Sequence, residues 1–299
     1  MILVAGGSGL LGSRIVAGLA ARGQQVRVLS RRLAPGGADP PSSVEVIRGD
    51  VRDPDAVSRA VAGADVVVSA VQGFAGPDVS PEEVDRDGNI NLITAAKGAG
   101  ADFVLVSVVG ASADSPMELL RMKWQAEEAL RDSGLRWTIV RPAAFAQTWI
   151  RLMRDTAGRS GRPLVFGRGD NPMPFVDVSD VAEVVARAAV DDSVRGRVLE
   201  VCGPEPVSLV QLAELVMRDA GRDGAPRHVP RAGLRAMAWT VGRVRPEMGR
   251  QARAALAMDD MAFPLDVAAA RQALTSQPAL ADLPAFTPVS QVVSRPALS

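Results

Sequence analysis

The chain begins with a short apolar run that leads directly into three evenly spaced glycines. The run from Ile2 to Ala5 has the composition of a strand, and Gly6, Gly9 and Gly12 follow it. After the turn the apolar residues recur at helical spacing. A strand, glycine turn and helix in this order leave backbone N–H groups unpaired where the helix dipole favours an anion. The stretch therefore predicts a cradle for the phosphates of a dinucleotide, and the alternative is a tight turn that binds no ligand.

The spacing G-x-x-G-x-x-G predicts a separate task for each glycine. Gly6 allows the tight turn, Gly9 lets a pyrophosphate approach the backbone, and Gly12 lets the helix pack closely on the strand. This spacing differs from the better-known G-x-G-x-x-G fingerprint, so the flanking strand and helix carry much of the argument. The cofactor contacts predicted in this turn are those of Gly6, Ser8, Gly9, Leu10, Leu11 and Gly12.

Strand and helix patterns alternate through the first half of the chain. Short apolar runs near residues 25–29, 44–47, 64–70, 103–109 and 137–141 are separated by helical patterns. Such alternation predicts an α/β fold, with a parallel sheet covered by helices on both faces. The pattern loosens after about residue 145, although a further helix and strand are legible between 175 and 202.

A basic pair follows the second predicted strand. Arg31 and Arg32 lie about 20 residues past the glycine turn, where NAD-binding units place an acid on the ribose 2′-hydroxyl. Guanidinium groups can instead grip a 2′-phosphate with two parallel hydrogen bonds. The pair therefore favours NADP(H) over NAD(H), and the alternative is a solvated pair at a strand end.

Composition excludes several classes of protein. Basic and acidic residues number 34 each, so net charge gives no reason to expect nucleic acid. No apolar stretch approaches the roughly 20 residues that span a bilayer. The single cysteine excludes an internal disulfide framework and favours a cytoplasmic location, while one cysteine and one histidine make a zinc site improbable. Because the sequence begins in its first predicted strand, we expect no signal peptide.

The chain contains no tyrosine and only two lysines, Lys97 and Lys123. Lys97 lies in a last helical turn, where a cation is expected for dipole reasons alone. Lys123 lies in the helix that ends near residue 132. In a chain whose other basic residues are all arginine, a retained lysine is a candidate for a specific role.

These features together resemble the short-chain dehydrogenase/reductase superfamily, in its atypical NmrA-like branch of NAD(P)-binding proteins. The resemblance covers Met1 to about Ala220. The matching segments are 6–12, Arg31, 49–51, 87–89, 91–93, 103–107, Lys123 with 127–128, 141–142 and 174–182.

The resemblance implies a Rossmann-type, doubly wound parallel sheet that binds NADP(H), with a smaller, mostly helical C-terminal lobe for a small-molecule substrate. It implies a cofactor domain at 1–145, with 175–202 returning to it, and a substrate lobe at 146–174 and 203–299. The same resemblance implies that Asp50 and Val51 contact the adenine, that Ala70, Val71 and Gln72 run beside the riboses, and that Lys123 bonds the nicotinamide ribose.

One departure from the family pattern concerns catalysis. Reductases of this superfamily commonly use Tyr-x-x-x-Lys, in which the tyrosine is the acid/base and the lysine lowers its pKa. Here Leu119 stands four residues before Lys123, on the same helix face, and carries no proton. The candidate catalytic residues are therefore Ser107 and Lys123, the latter through water, with solvent as a further proton source.

Aromatic residues and methionines of the second half are candidates for an apolar pocket above the nicotinamide, or alternatively for the core of the lobe. They are Phe145, Trp149, Met153, Met173, Phe175 and Trp239. Three functions stay open: an NADPH-dependent oxidoreductase acting on a small apolar carbonyl or quinone, a non-enzymatic NADP(H) sensor, and a biosynthetic enzyme of non-redox isomerisation or cyclisation. Monomer and homodimer are both compatible with the sequence.

Overall fold

The computed structural model describes residues 1–31, 43–74, 76, 78–261 and 266–295. Its centre is a parallel sheet of seven strands in the order β3-β2-β1-β4-β5-β6-β8. The strands of this sheet are β1 (Ile2–Ala5), β2 (Val26–Ser30), β3 (Val44–Arg48), β4 (Val66–Ser69), β5 (Asp102–Val106), β6 (Trp137–Pro142) and β8 (Arg197–Val201). The predicted α/β class and doubly wound sheet are confirmed.

Helices connect the strands and cover both faces of the sheet. In the first part of the chain they are α1 (Gly12–Ala21), α2 (Pro54–Val61), α3 (Gly88–Ala99), α4 (Glu118–Asp132), α5 (Ala146–Ser160) and α6 (Val178–Val190). A π-helical segment, Glu82–Asp87, runs directly into α3. Helices α7 (Leu209–Asp219), α8 (Arg231–Trp239), α9 (Pro246–Asp260), α10 (Val267–Thr275) and α11 (Val289–Val293) follow.

The period-2 alternation of the strands divides the core into two layers. Val4 faces a layer built with Ile15 of α1 and Val181 of α6. Its neighbour Leu3 faces the opposite layer, built with α2, α3 and α4. Both faces of the sheet are thus buried, which is why its central strands are almost continuously apolar.

Strands β2 and β3 lie on one side of β1, whereas β4 pairs with β1 on its other side, so the strand order reverses between β1 and β4. The pairs β1–β2 and β1–β4 are both parallel. In a doubly wound sheet, ligands bind in the crevice outside the carboxyl ends of the strands at this reversal. The glycine turn follows β1 and the segment from Ala70 follows β4. The fold therefore places these two segments on opposite walls of one crevice.

A second, smaller sheet pairs β7 (Leu164–Phe166) with β9 (Arg227–Val229) in parallel. Helices α5, α7 and α11 share a separate apolar core around Met153 and Leu212, and α8 packs on α9. The segment containing Leu274 and Phe286 packs instead against the layer of α1 and α6. This part of residues 203–299, which the resemblance assigns to the substrate lobe, thus packs on the large sheet.

No helix in the described part of the chain is long and apolar enough to cross a membrane.

Candidate functional site

Of the three evenly spaced glycines of the turn, two have no room for a side chain. Gly6 has a φ of +80°, and a Cβ there would lie 2.8 Å from the carbonyl oxygen of Ala70. A Cβ on Gly12 would lie 2.2 Å from the carbonyl oxygen of Gly6. A Cβ on Gly9 would meet only that same oxygen, at 3.3 Å. Packing thus explains Gly6 and Gly12, whereas Gly9 lies exposed at the open side of the turn.

The backbone donors of this turn are only partly used within the protein. Gly9 N–H donates to the carbonyl of Gly6, and Ser13 N–H donates to that of Gly9. The N–H groups of Leu10 and Leu11 donate to no acceptor within the described ranges. Unpaired donors at the N-terminus of α1, with a bare Cα at Gly9, fit a pyrophosphate. The residues present therefore suit the dinucleotide cradle predicted from the sequence.

The opposite wall is the segment from Ala70 to Phe74, which follows β4 and which we call the wall segment. Ala70 lies against Gly6, and Gln72 is exposed. Val71 and Gly73 are buried and are held through their backbone atoms. The predicted cofactor residues Ala70, Val71 and Gln72 thus lie beside the predicted phosphate cradle.

The predicted adenine end lies where β2 and β3 finish. Arg31 is exposed directly after β2, and Arg32 lies outside the described residues. Arg52 binds the Asp50 carboxylate through Nε at 3.1 Å and Nη2 at 2.8 Å, and these bonds lower the pKa of Asp50. Val51 is buried, and its carbonyl accepts a hydrogen bond from Asn91.

Lys123 is buried, and three protein oxygens lie within about 3 Å of its ammonium group. Its Nζ donates to the carbonyl oxygens of Val71 at 2.9 Å and Val106 at 3.0 Å. The same nitrogen lies 3.0 Å from Oδ1 of Asp85, whose side chain has no exposed surface. An ammonium group has three N–H donors. Two of these donors are thus hydrogen-bonded to backbone carbonyls, while Oδ1 of Asp85 contacts the ammonium as an ion pair and has no hydrogen-bond partner among the described residues.

Ser107 is also occupied by an internal contact. Its hydroxyl donates to Oε1 of Glu127, a fully buried carboxylate on α4. Arg141 donates to both oxygens of Glu127, at 2.9 and 2.6 Å, and Arg131 donates to Oε2 at 2.8 Å. Ser107 therefore belongs to a network that ties β5 and β6 to α4, and Glu127 does not pair with Lys123.

The position of the missing tyrosine lies in an apolar cluster. Leu119 packs with Met117, Leu120 and Ala254, of which Ala254 comes from α9. Half-buried apolar side chains pack around this group; they are Phe74, Val108, Ala257, Met258 and Met261. Phe74 and Val108 follow the carboxyl ends of β4 and β5, so the cluster lies at the crevice edge of the sheet. We refer to these nine residues as the apolar cluster.

The aromatic residues predicted to line the pocket differ in how far they are buried. Phe175 is completely buried in the core around α5 and α7, which favours the alternative that it belongs to the core of the lobe. Trp149 packs on it edge to face, with ring centroids 6.4 Å apart, and is half-buried. Phe145 is half-buried against the core of the large sheet. Trp239 is 67% exposed on α8.

Met153 and Met173 are buried in the core around α5 and α7.

Sequence reasoning missed Asp85 altogether. The residue lies 38 positions before Lys123 and belongs to an acidic stretch that reads as the solvated start of a helix. The π-helical turn places its side chain inward instead, and its Oδ2 accepts a hydrogen bond from Gly73 N–H at 2.8 Å. Burial raises the pKa of Asp85, and the Lys123 ammonium opposes that rise.

The sequence profile of a family described as NAD(P)H-binding matches residues 6–192 of this chain. An NAD(P)H azoreductase from Xenophilus azovorans is 30% identical over 223 residues, which cover 74% of each chain. The photosystem II assembly factor Ycf39 of a Synechocystis species is 29% identical over 243 residues, covering 79% of this chain and 72% of that protein.

Among solved structures, an NADPH-dependent quinone oxidoreductase from Escherichia coli, in complex with NADPH, superposes with a TM-score of 0.77. The superposition covers 98% of this chain and 99% of that one, at 21% identity. At this identity the likeness shows the fold alone.

Proposed function

Because this chain belongs to the NAD(P)H-binding family, we propose that it is an NADP(H)-dependent oxidoreductase whose acceptor is a small, apolar, conjugated molecule such as a quinone. The membership confirms the resemblance to the atypical NmrA-like proteins. The names of two sequence relatives, an azoreductase and a quinone oxidoreductase, support the reaction class. We expect the dinucleotide to bind along the glycine turn, and the acceptor to lie beyond the segment from Ala70 to Phe74.

The apolar cluster is the observation that carries this proposal. It occupies the place of the family's acid/base tyrosine, and Ser107 and Lys123 are both engaged elsewhere. When bound, the reduced nicotinamide supplies a hydride ion. A quinone spreads the resulting negative charge over its ring and takes its proton from water, so it needs a positioned acid less than an isolated carbonyl does. The apolar side chains would orient such a ring and exclude water around it.

The proposed choice of NADP(H) rests on the groups near the end of β2. Arg31 is exposed there and makes no hydrogen bond to any residue that the structure describes. The acid that follows β3, Asp50, is neutralised by Arg52. A 2′-phosphate would thus meet positive charge without a competing free carboxylate.

We also propose that α9 and the helices around β7 and β9 form the side of the crevice that binds the substrate. Helix α9 supplies Ala254, Ala257 and Met258 to the apolar cluster. Its Arg250 donates to the carbonyl oxygen of Val79 at 2.7 Å, beyond the wall segment. These contacts close one side of the space above the crevice.

The reaction is tested by following NADPH consumption with a quinone, an azo dye and an aldehyde. We expect faster turnover with the quinone than with the aldehyde, because the isolated carbonyl depends more on a positioned acid. The azo dye tests the activity for which a relative is named. Aldehyde reduction as fast as quinone reduction would contradict the proposed acceptor class.

Cofactor choice is tested by replacing Arg31 and Arg32 together with glutamate. The double variant is expected to weaken NADPH binding by at least tenfold and to leave NADH binding nearly unchanged, because only NADPH carries the 2′-phosphate. Arg59→Glu, in the last turn of α2 at the other end of the sheet, is the control for changed net charge. Equal losses for both cofactors would show the NADP(H) assignment to be wrong.

A second candidate is a non-enzymatic protein that binds NADP(H) and reports its redox state to a partner. The engagement of both candidate catalytic side chains favours it, and so does a relative named as an assembly factor. Tight NADPH binding with no turnover on any of the three acceptors would select this function over the first.

A further inference from the structure

The wall segment is fixed at successive positions by groups from different parts of the fold. Ala70 lies under Gly6, and the Val71 carbonyl accepts from Lys123. Gly73 has its N–H bonded to Asp85, and a Cβ there would lie 2.3 Å from the carbonyl oxygen of Ser80. The segment therefore has a defined backbone position although it lies outside any strand or helix.

Lys123 and Asp85 form the centre of this arrangement. They are among the most buried charged residues described, with 3% and 0% of their surface exposed. The Asp85 carbonyl accepts a hydrogen bond from Asn89 at 2.8 Å, and Asn89 in turn accepts from the Ser69 hydroxyl at 2.6 Å. The network thus joins the end of β4, the π-helical turn, and α4. Within it, Oδ1 of Asp85 contacts Lys123 as an ion pair without a hydrogen bond. The hydrogen bonds of the other members restrict the geometry of the network.

We propose that Lys123 and Asp85 are a positioning pair that fixes the Val71–Gly73 wall of the crevice, so that the pair acts on bound NADP(H) through this wall. The assignment rests on the proposed cofactor site but not on turnover. It differs from the role that the family resemblance gives the lysine, because Lys123 donates to the wall itself at the Val71 carbonyl, and Asp85, 3.0 Å from its ammonium, holds Gly73 N–H. Asp85 then matters as much as Lys123.

Three variants separate positioning from direct contact: Lys123→Met, Asp85→Asn and the two combined. Each single change leaves one buried charge without its partner, which strongly destabilises a protein. In the double variant both charges are gone, and the asparagine oxygen can still accept from Gly73 N–H. Lys97→Met, at the exposed lysine in the last turn of α3, is the matched control.

The measurements are the melting temperature of the cofactor-free protein, amide hydrogen exchange of residues 70–74, and the NADPH dissociation constant. Each single variant is expected to melt about 10 °C lower, the usual consequence of breaking a buried pair in a chain of this size. We further expect faster exchange in the wall segment and at least tenfold weaker NADPH binding. The double variant is expected to recover most of all three values, and Lys97→Met to change none.

One outcome would overturn the proposal: the double variant recovers its melting temperature and its hydrogen exchange but binds NADPH as weakly as Lys123→Met does. The lysine would then contact the cofactor directly. Unchanged exchange at residues 70–74 in Lys123→Met would overturn it as well. Should Lys123→Met fail to fold, Asp85→Asn and the double variant support the same comparison. A wild-type protein that does not bind NADPH would contradict the proposed function, while exchange would still decide whether the pair fixes the wall.

Discussion

The two walls of the crevice differ in what builds them. On one side the glycine turn presents backbone N–H groups, and its shape follows from the absence of side chains at Gly6 and Gly12. On the other side the wall segment is held by Lys123 and Asp85, which come from separate helical elements. The first wall is local in sequence, whereas the second is assembled across 52 residues between Val71 and Lys123.

This difference teaches which kind of site a sequence discloses. A backbone cradle needs only glycines at the right spacing, so the sequence predicts both its residues and its function. A lysine has the same sequence signature whether its ammonium faces a ligand or a buried carboxylate. The five changes below test the comparison.

Gly12→Ala is expected to have the largest effect. The added Cβ would lie 2.2 Å from the Gly6 carbonyl oxygen and 2.8 Å from the Gly7 Cα, so α1 must move away from β1. We expect a loss of at least about 3 kcal/mol in the free energy of unfolding, of the order found for severe core overpacking. Urea unfolding measures it.

The control is Gly98→Ala in α3, where a Cβ meets nothing within 4 Å. It should be neutral or slightly stabilising, by up to about 1 kcal/mol. Similar losses in both variants would contradict the packing role of Gly12.

Lys123→Met should make stability depend on pH through Asp85. Burial already raises the pKa of this carboxyl, and loss of the ammonium raises it further. The folded state then binds more protons than the unfolded state between the ordinary pKa and the raised one. Stability should therefore fall as pH rises across that window, by up to about 1.4 kcal/mol per pH unit.

Urea unfolding of Lys123→Met between pH 5 and 8 measures this slope. The variant that also carries Asp85→Asn cannot titrate there and should lack the additional slope. The same slope in both would mean that Asp85 is not the titrating group.

Gly9→Ala should affect binding more than folding. Its Cβ would lie 3.3 Å from one carbonyl oxygen and otherwise project from the open side of the turn. We expect a small change in melting temperature but at least tenfold weaker NADPH binding, about 1.4 kcal/mol, because the methyl group would occupy the approach of the pyrophosphate. Unchanged affinity by titration calorimetry would argue against a phosphate at this position.

Leu119→Tyr restores the family's tyrosine to a site that cannot use it. The ring would enlarge a buried side chain, and Lys123 is already bonded to Val71, Val106 and Asp85. We expect a loss of about 1–3 kcal/mol in stability and no gain in aldehyde reduction. A substantial gain in aldehyde turnover would show that Lys123 is free to lower the pKa of a neighbouring phenol.

Ser107→Ala should have the smallest effect. It removes the hydroxyl that donates to Glu127, while Arg131 and Arg141 continue to bind that carboxylate. The expected cost is about 1 kcal/mol of stability, with quinone turnover unchanged. Ser58→Ala, on the exposed face of α2, is the control. A loss of turnover without a loss of stability would return Ser107 to the reaction.

The fold was predictable in large part, because alternating apolar runs and helical patterns leave few arrangements other than a parallel sheet. Helix starts follow local chemistry as well: Asp53 caps α2, and Ser208 with Gln211 forms a capping box at the start of α7. At the start of α4 the capping position is Met117, which makes no side-chain cap. Ser115 instead bonds the N–H of Met117.

The side chains of the site were predictable only as candidates. Phe175 satisfied the pattern of a pocket residue and is buried in the lobe, because an aromatic ring suits both places equally. Segment 267–286 follows the lobe in sequence yet packs on the large sheet, since its apolar residues could cover either core.

The sequence by itself determined the parallel sheet, the glycine cradle at the end of its first strand, and the absence of a tyrosine beside Lys123. These follow from backbone sterics, from periodicity and from residue identity, all of which are local. Only the tertiary structure decided that Lys123 faces Asp85 and that Ser107 faces Glu127. A buried charge takes whichever partner the packing brings within about 3 Å, and no local pattern specifies that partner.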